Sequence, residues 1–69
     1  MDKEKGKKVK IKVGQIWKSK KDMGIKIKVL KIINTGAVID VQVIDVKNKD
    51  KGAWWFLELT ILWYYDLQV

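Results

Sequence analysis

The chain has no cysteine, no histidine and no proline, and all 15 of its basic residues are lysine. Each absence excludes something. Without cysteine there is no disulfide and no thiol nucleophile, and without cysteine or histidine there is no zinc site of the usual kinds. Without histidine the common general base is missing, and Ser19 has nothing to activate it. Without arginine the planar fork that reads guanine edges is missing. Glycine-rich phosphate-binding motifs are absent too. The acids Asp40, Asp45, Asp50, Glu58 and Asp66 are scattered along the sequence, so neither a catalytic residue nor a metal or other cofactor is expected.

What is present is a 69-residue chain, 48% hydrophobic and 33% charged, with a net charge of +7. That length fits one small domain, and the apolar share is enough for it to fold. Four Trp, two Tyr and one Phe must supply much of the buried area, because a domain this small has no other staple. The charge is uneven. Residues 1–35 hold 12 Lys against Asp2, Glu4 and Asp22, a net +9, whereas residues 36–69 hold 3 Lys against five acids, a net −2. A basic half points to a polyanionic partner. The most apolar window, 53–65, is too short to span a bilayer, which takes about 20 residues. No secretory signal pattern follows Met1, so the expected setting is cytoplasmic, with membrane contact unlikely.

Residues 1–8 are polar and basic and read as a flexible arm, with a single domain over 9–69. From Lys8 to Val13, Lys alternates with Val or Ile, the two-residue period of a half-buried strand. Gly14 interrupts that pattern and marks a bulge or bend. A Lys-rich loop over 18–24 follows. Ile25, Ile27 and Val29 share one parity, then Leu30 and Ile32 take the other, which calls for a bulge near Val29–Leu30. Asn34-Thr35-Gly36 signals a tight hairpin. In 37–46, Ala37, Ile39, Val41 and Val43 share a face, and Ile44 and Val46 repeat the parity slip. After the polar loop 47–52, a fourth strand over 53–59 places Trp55, Leu57 and Leu59 on the core face, with Trp54, Phe56 and Glu58 opposite. One helical turn over 60–64 precedes a last strand, 65–69. The expected fold is all-β: five strands at roughly 9–17, 25–34, 37–46, 53–59 and 65–69, strongly bent into a small barrel.

The order Val13-Gly14-Gln15-Ile16-Trp17, a loop ending at Gly24, Ile27-x-Val29-x-x-Ile32, Gly36-x-Val38 and a turn before Tyr65-x-Leu67-x-Val69 resembles the SH3-like small β-barrels. These include the KOW and Tudor-type modules. The sequence is also similar to small, mostly uncharacterised barrels of phages and mobile elements. The resemblance covers 9–69 and implies a five-stranded, strongly bent SH3-like barrel with a single helical turn before the last strand. KOW modules typically bind RNA or ribosomal and transcription proteins, and Tudor modules hold methylated Lys or Arg in an aromatic cage. Loop 18–24 lacks the compact glycine pattern of a KOW loop. The aromatics cluster in the fourth strand and last turn, so neither binding site carries over.

Two constellations remain. Lys10 and Lys12 on strand one, Lys26 and Lys28 on strand two, and Lys18, Lys20 and Lys21 in the loop are expected to form one phosphate-attracting patch with little sequence preference. Outward lysines also protect strand edges from unwanted pairing, the competing explanation. Trp54 and Phe56 are expected to face outward, where exposed aromatics anchor a partner, stack on bases or join two copies of the chain. The leading expectation is therefore a small non-enzymatic module that contacts nucleic acid. The alternative is a protein-interaction module, such as a mobile-element protein docking on a host protein.

Overall fold

A computed structural model describes residues 10–22 and 24–68. The expected arm, 1–8, lies outside the described residues, as do Val9 and Val69. Among the described residues five strands form one antiparallel sheet: β1 (Ile16–Ser19), β2 (Lys26–Asn34), β3 (Ile39–Asp45), β4 (Trp54–Leu57) and β5 (Tyr65–Leu67). Their order across the sheet is β4-β3-β2-β1-β5. One short helix, α1 (Glu58–Tyr64), joins β4 to β5. Among the described residues β4 and β5 do not pair with each other, so the sheet is open at both ends.

The fully buried side chains are Ile27, Val29, Val41, Val43 and Ile61, with Trp17 and Ile11 beside them. The first four lie on one face of β2 and β3, and the register explains why. Val29 stands opposite Val43, Ile32 opposite Val41 and Trp17 opposite Ile27. Directly opposed residues share a face, so each β-branched pair adds to the same apolar surface. Ile61 caps that surface from α1, and Leu62 and Tyr65 pack beside it. A seven-residue helix is too short to persist alone, so α1 depends on this packing.

The bulge expected near Val29–Leu30 is present. Val29 pairs with Val43 and Lys31 with the adjacent Gln42, which leaves Leu30 as the extra residue. The hairpin at Asn34–Gly36 is also present: Gly36 takes φ +92° and its N–H donates to Asn34 Oδ1 at 2.8 Å.

Four expectations require correction. The alternating run before Gly14 is not a strand among the described residues. Gln15 occupies its backbone instead: Gln15 Oε1 accepts from Lys12 N–H at 2.7 Å, and Gln15 Nε2 donates to the Lys10 carbonyl at 3.2 Å. Gly14, at φ +95°, then turns the chain into β1, leaving Ile11 buried and Val13 exposed. Lys18 is not in a loop; it sits in β1 opposite Lys26. The second parity slip, at Ile44 and Val46, does not occur. Inward facing continues to Asp45, a residue only 8% exposed, whose carboxylate accepts N–H bonds from Lys47 at 2.8 Å and Asn48 at 3.1 Å. Those bonds let an acid take an inner position at the strand end. Finally, the fourth strand stops at Leu57, and Glu58 and Leu59 belong to α1.

The aromatic cluster adds a pH dependence. Tyr65 lies 5.7 Å from Phe56, ring centre to ring centre. Burial raises the Tyr65 phenol above its ordinary pKa, and the Asp45 carboxylate raises it further by repelling a phenolate. The unfolded chain therefore loses this proton first. The stability that neutral Tyr65 contributes is complete below about pH 10 and is lost as the pH rises through the folded value. Tyr65→Phe is expected to give a shallower loss of stability above pH 10 than the unmodified chain. Urea unfolding of both across pH 9–11.5 checks this, and equal slopes would contradict it.

Candidate nucleic-acid interface

The sheet has an inner face, closed by α1, and an outer face. Residues that alternate with the buried set face outward. Because Trp17 and Ile27 point inward, Lys18 and Lys26 point outward. The register makes them direct cross-strand neighbours. Lys28 lies on the same face of β2, opposite Ile16 on one side and Ile44 on the other. Past the bulge the outer face resumes with Lys31 opposite Gln42, and Gln42 stands opposite Trp55. The bulge thus keeps Lys28 and Lys31 on one face although three positions separate them. An uninterrupted strand would put them on opposite faces.

Four lysines therefore share the outer face. Lys26 and Lys28 were legible in the sequence as outward strand residues, whereas Lys18 was expected to join them from the loop and does so from β1. Lys31 was missed because the parity slip hides it; the bulge itself was the signal that could have placed it. Lys20 and Lys21 occupy the turn after β1, where Ser19 Oγ accepts N–H bonds from Lys21 and Asp22. Lys20 Nζ lies 3.9 Å from Asp66 Oδ1, and Asp66 is also the β5 neighbour of Lys18. That carboxylate offsets part of the positive charge at the β5 end. Lys10 and Lys12 are exposed on the segment before Gly14, which is not a strand among the described residues.

The aromatic assignment is inverted. Trp54 stands opposite Val43 and Phe56 opposite Val41, both fully buried, so Trp54 and Phe56 face inward. Both are half-buried against the core, in edge contact with each other at 5.9 Å. They do not present the outward anchor expected of them. Trp55 does: it is 46% exposed on the outer face, with Leu57 beyond it. A second exposed apolar group lies on α1, where Leu59, Trp63 and Tyr64 point away from the core. A third lines a cleft of about 340 Å³ between the 34–39 hairpin and the start of α1, walled by Val38, Ile39, Leu57 and Leu59.

Among the described residues no cluster of three or more acidic side chains is placed to hold a metal, and no helix is long and apolar enough to cross a membrane. Comparison with known proteins finds no matching family model, no similar curated protein and no similar solved structure.

Proposed function

We propose that this chain is a small, non-enzymatic, cytoplasmic module that holds nucleic acid by its phosphates on the outer face of the sheet, through Lys18, Lys26, Lys28 and Lys31. The observation that carries the reading is the register. It sets Lys18 directly across from Lys26 and uses the bulge to keep Lys28 and Lys31 on that same face. Four like charges on one face repel one another, an arrangement that a polyanion relieves. Lysine ammonium groups contact phosphates as point charges and have no fork for base edges, so sequence preference is small. An SH3-like architecture belongs to this reading. Its support is the order β4-β3-β2-β1-β5 with a helix before the last strand, in a sheet bulged at Leu30.

Affinity for an oligonucleotide should fall steeply between 50 and 200 mM salt. Changing the four lysines to glutamine should flatten the slope of log K against log salt by about 3–4 on duplex DNA. No binding by the unmodified chain at 50 mM salt, or an unchanged slope in the variant, would reject the proposal.

A second reading is favoured by one specific observation. Leu59 and Trp63 lie four residues apart on the outer side of α1, and Trp63 is 71% exposed. Such a face suits a protein partner, and binding there would tolerate salt and survive nuclease treatment.

A further inference from the structure

From the placement of Trp55 we infer that the ligand of the lysine face is single-stranded nucleic acid, with an unpaired base stacked on the Trp55 indole. This rests on the phosphate-binding reading above and specifies its strand state. Trp55 belongs to the same outer face as the lysines. It is joined to them by one cross-strand row, Lys31–Gln42–Trp55, in which each residue directly opposes the next. Adjacent strands are about 4.8 Å apart, so the indole lies roughly 10 Å across the sheet from the Lys31 position. It sits on β4, at the end of the strand order, with no further strand beyond it among the described residues. The indole is therefore accessible from the side as well as from above. The core does not use it: the inward aromatic surface of β4 is made by Trp54 and Phe56.

Charge complementarity identifies the occupant. An exposed indole alone suits many partners. An indole at the end of a row that begins at an exposed lysine, with Lys28, Lys26 and Lys18 further along the face, suits a chain that alternates phosphates with flat apolar rings. In a duplex those rings are already stacked between their neighbours and out of reach. In a single strand they are free, and base–aromatic stacking is tolerant of sequence. The acidic residue on this part of the face, Asp40, lies one row away, between Ile33 and Leu57, outside the Lys31–Trp55 row.

The test measures binding of the full chain to a fluorescein-labelled dT15 strand and to a 15-base-pair duplex at 50 mM salt. Three variants accompany it: Trp55→Ala, Trp55→Phe and Trp63→Ala. Trp55→Ala is expected to weaken dT15 binding about 5- to 100-fold, the range for loss of one base stack, while duplex affinity stays within twofold. Trp55→Phe retains a ring and should recover most of the dT15 affinity. It also keeps the test decisive if the alanine variant fails to fold. Trp63→Ala, off this face, should bind dT15 as the unmodified chain does. Equal dT15 affinity in the unmodified chain and Trp55→Ala overturns the inference while leaving phosphate binding intact. Equal losses on dT15 and duplex, or no rescue by phenylalanine, also overturn it. Failure of the unmodified chain to bind either probe removes the phosphate-binding reading itself.

Discussion

Ile27→Ala is expected to remove about half of the folding stability of the chain. Ile27 has no exposed surface and occupies the middle of the inner row, between Trp17 on β1 and Asp45 on β3. Truncating a buried isoleucine to alanine costs about 2–5 kcal/mol, combining lost transfer energy with the cavity left behind. At typical values per residue, a domain of this length has about 4–10 kcal/mol to lose. With no cysteine in the sequence, no cross-link offsets the loss. Ile33→Ala removes the same atoms from the outer face, where Ile33 is exposed, and should cost under about 1 kcal/mol. Urea unfolding followed by far-UV circular dichroism separates the two. A midpoint for Ile27→Ala within error of the unmodified chain would mean that this row is not the core.

The second large effect concerns β4 and decides which of its faces is inside. Phe56→Ala should destabilise by about 2–4 kcal/mol, because the ring fills the space opposite Val41 and contacts both Trp54 and Tyr65. Trp55→Ala, one position earlier, should cost no more than about 1 kcal/mol. Its indole is almost half exposed and leaves no closed cavity behind. The comparison is sharp because the two residues are adjacent, large and aromatic. A larger loss for Trp55→Ala than for Phe56→Ala would restore the facing that the bare sequence suggests.

That contrast shows where residue pattern is informative. In the first half of β2, before the bulge, Ile27 and Val29 alternate with Lys26 and Lys28, and polarity alone assigns the faces. In β4 the sequence is Trp-Trp-Phe-Leu, apolar at every position, and a two-residue period has nothing to distinguish. Only pairing with β3, where Val41 and Val43 alternate with Asp40 and Gln42, sets which aromatics go inside. Asp45 misled for the opposite reason. An acid reads as outward, yet the backbone N–H groups of Lys47 and Asn48 satisfy it in place. Gln15 is a third case. Its side chain bonds the backbone at Lys10 and Lys12, and no alternation of apolar residues records such a contact. The β2 bulge and the Asn34–Gly36 hairpin were legible because each has a local signature: a parity slip in one case, and residues that tolerate positive φ in the other.

The bulge has a consequence for insertions and deletions. Leu30 has no counterpart on β3. Excising it would leave Lys26, Lys28 and Lys31 pointing one way and Ile27, Val29 and Ile32 the other, as they do now. Loss of a residue away from the bulge, such as Ile27, would exchange inside for outside between the gap and the bulge. Position 30 therefore adjusts curvature without touching identity: the sheet could gain or shed this residue and keep both its interior and its lysines.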